Sequence, residues 1–208
     1  LSMKHINLLP GLNVSRETFL RLKEYEKLLF KWNAKINLVS RSTLNNFWNR
    51  HVLDSAQFLS SVGEKAGKWV DLGSGGGLPG LVVAILSDEI EPVNKLFLVE
   101  ADVRKAVFLK TVCRELGLKV EVYNNRIEEL PPMSANIVSA RALSPLKTLC
   151  LYAKNHLEKD GVAVFAKGEN WKSELVEAQK KWIFSYEAVK STLHEGSVVL
   201  VLRGIKSA

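Results

Sequence analysis

Cysteine is nearly absent: Cys113 and Cys150 are the only two in 208 residues, which suits neither a disulfide framework nor a metal site and points to a reducing, cytoplasmic setting. Long apolar runs are missing as well. No stretch approaches the ~20 residues needed to cross a bilayer, and residues 1–10 lack the apolar segment and small-residue cleavage site of a secretory signal. No Asp–His or Cys–His constellation stands out as a proton relay. What is present suits a folded chain: 47% of residues are apolar and 25% charged, and a chain of this length buries roughly 70% of the surface its unfolded form exposes. Disorder is excluded, and one full domain with an appendage is expected.

The formal net charge of +7 is unevenly placed. Residues 1–68 carry 11 basic and 5 acidic side chains, a net of +6, whereas residues 69–208 carry 18 and 17, a net of +1. A positive excess confined to one third of the chain favours an anionic macromolecule, with nucleic acid and a membrane surface as the two candidates.

Phe19, Leu20, Leu22, Tyr25, Leu28 and Leu29 recur at helical spacing over residues 16–30, behind Ser15 as N-cap. A second helical pattern covers residues 46–62, so residues 1–66 read as a basic, all-helical extension packed as one unit with residues 67–208. Strands are expected at 68–72, 96–100, 119–123, 135–139 and 161–166, with helices at 79–86, 104–116 and 146–157. That alternation argues for an α/β fold with a parallel sheet and helices on both faces. Runs at 185–193 and 197–203, separated by His194, Glu195 and Gly196, read as an antiparallel hairpin. Five parallel strands closed by such a hairpin make the seven-stranded, Rossmann-like sheet of class I methyltransferases that use S-adenosylmethionine. A dinucleotide-binding fold would continue with another parallel crossover.

The most specific stretch is residues 69–80, where Asp71 and Leu72 precede Gly73, Ser74, Gly75, Gly76, Gly77, Leu78, Pro79 and Gly80. Glycines at a strand-to-helix turn let the backbone approach a ligand and adopt positive φ. Gly75, Gly77 and Gly80 also match the dinucleotide fingerprint, with Glu100 at the distance of a ribose-binding acid, so spacing alone does not separate the two cofactors. Asp71 weighs in: a carboxylate at the strand end would repel a pyrophosphate and attract the ammonium and sulfonium of S-adenosylmethionine. Glu100 can then accept from both ribose hydroxyls, Leu78 and Ile127 can sandwich the adenine, and Glu128 or adjacent backbone can take its exocyclic amine.

Several segments carry a family resemblance: Trp32-Asn33-Ala34-Lys35-Ile36-Asn37-Leu38, Arg50-His51-Val52-Leu53-Asp54-Ser55, the glycine turn from Asp71 to Gly80, Lys105, Phe108-Leu109, Arg126-Ile127-Glu128, Ser139-Ala140-Arg141-Ala142 and Lys167-Gly168. Over about residues 19–203 the chain resembles the bacterial small-subunit ribosomal RNA guanine-N7 methyltransferases, the glucose-inhibited division protein B family. The resemblance implies methyl transfer from S-adenosylmethionine to N7 of a guanine in small-subunit rRNA, with the rRNA or the ribosomal subunit as partner; no membrane partner, a monomer and a cytoplasmic location are expected alongside it. Carried over by position, the family's cofactor contacts fall on Gly73, Leu78, Ile127, Glu128 and Arg141.

Guanine N7 has a lone pair and no proton at neutral pH, so this reaction needs no general base, and positioning residues do the catalytic work. Arg141 and Lys167, at the ends of the fourth and fifth expected strands, are the catalytic candidates, as clamps for a carboxylate or phosphate. Asp71, Gly73, Ser74, Gly75, Gly77, Leu78, Glu100, Ile127, Glu128 and Arg141 are expected at the cofactor. Trp32, Asn33, Asn37, Arg50, His51, Asp54, Ser55, Arg104 and Lys105 are expected at RNA, with core packing open for Trp32, loop bonding for the two asparagines and mutual pairing for His51 and Asp54. A small-molecule methyltransferase, a dinucleotide oxidoreductase and a non-catalytic RNA-binding protein are the alternatives.

Overall fold

A computed structural model describes residues 5–63, 67–90, 93, 95–191 and 195–208. Strands β3 (Lys68–Leu72), β4 (Lys95–Val99), β6 (Ala135–Arg141) and β7 (Leu157–Lys167) are apolar and buried along most of their length, as parallel strands covered on both faces must be. With β5 (Val120–Tyr123), β8 (Trp182–Lys190) and β9 (Val198–Ser207) they form a seven-stranded sheet in the order β5-β4-β3-β6-β7-β9-β8. The first five strands of that order are mutually parallel; β9 runs antiparallel to β7 and to β8. This is the expected sheet with its terminal hairpin. His194 and Leu193, assigned to that hairpin, lie outside the described residues, as do residues 64–66 beside the expected 66/67 boundary.

Helix α1 (Arg16–Asn33) starts where expected, with Ser15 Oγ accepting the Thr18 N–H at 3.2 Å. The region before it departs from the all-helical expectation: β1 (Ile6–Leu9) and β2 (Leu12–Val14) pair as a hairpin around Pro10 and Gly11, burying Leu9, Leu12 and Val14. Runs of four and three residues are too short for an alternation pattern to register. The single helix expected over 46–62 is broken as well. After the short α2 (Arg41–Leu44), a π-helical turn (Trp48–Leu53) leads into α3 (Asp54–Ser61). Such turns insert a residue into the helical register and recur at functional positions.

Four helices complete the fold: α4 (Gly80–Ser87), α5 (Val103–Glu115), α6 (Leu146–His156) and α7 (Trp171–Gln179). The last was not expected from the sequence; its inward positions Leu175 and Ala178 are scattered among Lys172, Glu174, Glu177 and Lys180. Leu22, Tyr25 and Leu29 of α1, with Phe47 and Phe58, share one apolar core with Trp69, Leu81 and Phe108, so the helical segment and one face of the sheet are packed together. Cys113 and Cys150 are buried and free, and burial pushes their thiols up to about 11 and about 12. They are inert packing residues, as expected.

Three buried polar contacts set the glycine turn that follows β3. Asp71 is inaccessible to solvent; its Oδ1 accepts from Ser139 Oγ at 2.7 Å and its Oδ2 from the Gly80 N–H at 3.3 Å. Its backbone carbonyl accepts from Ser74 Oγ at 3.0 Å. A Cβ on Gly80 would stand 2.8 Å from Asp71 Oδ2 and 2.3 Å from Leu98 Cδ2, so only glycine lets α4 start this close to the carboxylate. Gly77, at φ +86°, makes the turn into that helix. From the other side, Tyr25 Oη donates to the Gly76 carbonyl at 2.6 Å. Burial raises the Tyr25 phenol well above its ordinary value, so this hydroxyl remains a donor.

Tyr25→Phe strands the buried Gly76 carbonyl and should cost about 1–3 kcal/mol, read by urea denaturation; an unchanged midpoint would show that the bond contributes nothing. Burial outweighs the hydrogen bonds from Ser139, Ser74 and Gly80 and raises the Asp71 carboxyl from 3.8 to about 6. A raised carboxyl stabilises the fold below the unfolded value, and that contribution is lost as pH rises through the folded one. The stability advantage of the parent over Asp71→Asn should therefore shrink by up to about 3 kcal/mol between pH 4 and 7, whereas a pH-independent difference would show that Asp71 keeps its proton affinity on folding.

Candidate active site

At the carboxyl ends of β3, β4 and β6 lies a cleft of about 540 Å³. This is where open α/β sheets place their ligands. Its walls are the turn at Gly73, Ser74, Gly75 and Gly76, the strand end at Glu100, the segment 125–128, the segment 141–143 and, from the helical region, residues 38–40.

Glu100 is 8% exposed and held by backbone: Oε2 accepts from the Gly75 N–H and Oε1 from the Asp102 N–H, each at 2.8 Å. The Asn124 side-chain amide donates to its carbonyl at 2.9 Å. Each carboxylate oxygen keeps one lone pair, so a fixed, two-pronged acceptor faces the cleft. Leu78 and Ile127, both nearly buried, supply apolar wall. Glu128 is exposed and takes a hydrogen bond from Tyr152 Oη, which lowers the Glu128 carboxyl and holds the Tyr152 phenol up at about 12. Such a set fits a nucleoside: paired acceptors for a diol, apolar faces for a flat ring, and an oriented carboxylate beside them.

Arg141, at the end of β6, lines the cleft as expected but is tied to the helical segment. Its Nη1 donates to Asp54 Oδ2 and to the Arg50 carbonyl, both at 3.2 Å, and its Nη2 donates to His51 Nδ1. Desolvation lowers the guanidinium below its ordinary value, opposed chiefly by Asp54, and it stays charged. Nε–H and one N–H of Nη2 have no partner among the described residues, which leaves two donors for a ligand. His51 and Asp54 are thus brought together on Arg141.

Other expectations are corrected by the placements. Asp71 does not line the cleft; its carboxylate points inward to Ser139 and Gly80, so it shapes the turn. Ser74 lines the cleft but turns its hydroxyl to the Asp71 carbonyl, and Gly77 lies behind the lining. Lys167 does not line the cleft either. Its ammonium pairs with Glu174 Oε2 at 2.6 Å and donates to the Ser144 carbonyl at 2.9 Å, while the same Glu174 oxygen accepts the Leu146 N–H at 2.7 Å. It therefore latches the segment that follows Arg141, and the expected phosphate clamp is already occupied.

Among the RNA candidates, Trp32 is half-buried against Phe108, ring centroids 5.7 Å apart, and is a core residue. Asn33 is buried and its Oδ1 accepts the Leu38 and Val39 N–H groups, so it bonds the loop. Ser55 is fully buried and unavailable to a partner. Arg50 and Asn37 are exposed, and Lys105 lines the cleft. Arg104 is exposed but engaged by Asp102, whose carboxyl it holds down at about 2. Sequence reasoning does not find Tyr152, Thr43 or Tyr25. The first two belong to no motif, and Tyr25 reads as one more apolar helical position unless its hydroxyl is asked for a partner.

A family model described as rRNA small subunit methyltransferase G matches residues 19–199. Ribosomal RNA small subunit methyltransferase G of Ruegeria pomeroyi is 48% identical over 194 residues, covering 93% of this chain and 95% of that one. Among solved structures, the ribosomal protein L11 methylase of Lactobacillus delbrueckii subsp. bulgaricus superposes with a TM-score of 0.60 at 12% identity, covering 74% of this chain and 79% of that one. A SAM-dependent methyltransferase from Aquifex aeolicus gives 0.58 at 14% identity, covering 86% and 97%. The structural likenesses establish the class I methyltransferase fold; with a family match over most of its length and a relative this similar, the chain belongs to the rRNA small subunit methyltransferase G (GidB) family.

Proposed function

We propose that this chain transfers a methyl group from S-adenosylmethionine to N7 of a guanine in small-subunit ribosomal RNA. The observation that carries the reading is Glu100, fixed by the Gly75 and Asp102 N–H groups in one cleft with Leu78 and Ile127, in a chain of this family. Glu100 would take the two ribose hydroxyls, a bidentate use to which a carboxylate is suited. Leu78 and Ile127 would flank the adenine, and Glu128, oriented by Tyr152, or its neighbouring backbone would receive the exocyclic amine. Gly73, Ser74 and Gly75 would offer backbone at close range.

Bound S-adenosylmethionine supplies an electrophilic methyl group on a sulfonium. Guanine N7 already holds the attacking lone pair, so the side chains need to align and to exclude alternatives rather than to move a proton. Holding two reactants in line contributes several kcal/mol, roughly 7–11 in the most favourable cases. Arg141 is read as the clamp that does so. A guanidinium gains nothing beside a sulfonium, and its two unpaired N–H donors suit a carboxylate or phosphate. Asp54 compensates its charge on the protein side. Lys105 and Arg126 at the cleft, with exposed Arg50, Lys35 and Arg41 around it, would meet RNA phosphates.

Two buried, free thiols support a cytoplasmic setting, and among the described residues no helix is long and apolar enough to cross a membrane.

Saturating S-adenosylmethionine should raise the melting temperature, as any ligand of the native state must, while a nicotinamide dinucleotide should not; the reverse pattern would replace the methyltransferase reading with an oxidoreductase. Glu100→Gln keeps the shape but loses the charged acceptor, so calorimetry should find the cofactor about tenfold weaker or worse, and equal affinity would remove Glu100 from the site. If about four basic side chains contact phosphates of unpaired RNA, log affinity should fall with log salt at a slope of roughly −3. A salt-insensitive affinity would exclude this surface as the RNA interface.

A further inference from the structure

We propose that His51 is a positioning residue for the methyl transfer: a neutral imidazole, protonated on Nε2, that ties the Arg141 guanidinium to the 38–40 wall of the cleft so that the two are set together. The inference deepens the reading of the cleft as the meeting place of methyl donor and guanine, and it rests on that reading.

The hydrogen-bond inventory gives every link one direction. A guanidinium only donates, so His51 Nδ1, which receives Arg141 Nη2, carries no proton. In a neutral ring the proton is then on Nε2, which lies 2.8 Å from Thr43 Oγ1. The Thr43 hydroxyl in turn donates to the Ser40 carbonyl at 2.8 Å and accepts from Ser40 Oγ at 3.1 Å. The other end of the same short segment is pinned from α1, where Asn33 Oδ1 accepts the Leu38 N–H at 2.8 Å and the Val39 N–H at 3.0 Å. Residues 38–40 therefore hang between two anchors, and they line the cleft together with His51 and Arg141.

Either of the other ring states would set two donors face to face at Arg141. The Phe47 ring, 5.4 Å from the imidazole, packs against it, and the imidazole is 6% exposed. Asp54 supports the guanidinium charge, so the contribution left to His51 is direction. Direction matters here because no proton transfer is required and alignment is what the side chains supply; a displacement of about 1 Å from a remote change can cost about 100-fold in rate.

Two measurements test the relay. In 15N-edited NMR at neutral pH, the His51 ring should show an unprotonated Nδ1 and a protonated Nε2; a proton on Nδ1, with or without one on Nε2, overturns the proposal independently of any activity. In methylation of small-subunit rRNA, His51→Leu should lower kcat roughly 10- to 100-fold, a larger factor than any loss of cofactor affinity. His51→Asn, whose amide oxygen can accept from Arg141, should recover about tenfold where the loss is largest. Thr43→Val should slow the parent several-fold and change little in an Arg141→Ala background, the signature of a coupled pair. Equal losses for His51→Asn and His51→Leu, a parental rate in His51→Leu, or a Thr43→Val effect that persists without Arg141 would each reject the relay; the Thr43 cycle decides if His51→Leu does not fold. A parent that shows the expected ring but moves no methyl group to rRNA would reject the functional reading and leave the relay supported by the ring itself.

Discussion

Asp71 accepts hydrogen bonds from Ser139 on the adjacent strand and from Gly80 at the head of α4, while its carbonyl takes the Ser74 hydroxyl. Two strands, the glycine turn and a helix start thus converge on one residue with no access to water. The arrangement is costly to the charged carboxylate, whose affinity for a proton rises accordingly. It is retained because a turn rich in glycine has little rigidity of its own, and a cleft built from its backbone needs that rigidity from elsewhere. Trp69, whose indole N–H donates to Ser139 Oγ at 2.8 Å, extends the same network two residues back along β3.

The helical segment supplies the rest of the restraint. Tyr25 holds the turn from behind through Gly76, and Asn33 fixes the loop whose Leu38 carbonyl would stand 3.3 Å from a Cβ on Gly76. The π-helical turn carries His51 to Arg141, and α3 begins with Asp54 on the same guanidinium. A segment that composition alone would set aside as an RNA-binding appendage is in this way part of the cleft wall and of the core beneath it. Lys167 serves the same end on the far side of Arg141, where its pair with Glu174 and its bond to Ser144 hold the loop into α6.

Much of the sheet was legible in the sequence because strands buried on both faces leave unbroken apolar runs between glycines, and because the closing hairpin carries its own turn signal. The glycine turn and Glu100 were legible for a related reason: they directly follow strand ends, where sequence position translates into spatial position, and Leu78 and Ile127 come only a few residues beyond β3 and β5. What escaped lies where that translation fails. The first hairpin is too short to show a period, and the inward face of α7 is diluted by charge. Asp71 has the position expected of it, but which way its carboxylate points is settled by Ser139 and Gly80, far away in sequence. The preference for a nucleoside without phosphates consequently rests on the family and not on Asp71, since the ribose acid Glu100 would serve either cofactor. Trp32 and Ser55 were assigned to RNA by residue type, and packing against Phe108 and the interior of α3 claimed them instead.

The uneven charge gains a meaning once the cleft is in place. The first 68 residues hold a net of +6 against +1 for the remainder, and it is that basic part which contributes Leu38, Val39, Ser40 and His51 to the cleft. Of its cations, Arg41 adjoins residues 38–40 of the cleft wall and Lys35 lies with Lys105, so positive charge stands at the rim of the opening. A polyanion that nears such a rim is drawn toward the opening, and the pull weakens with ionic strength as the field is screened.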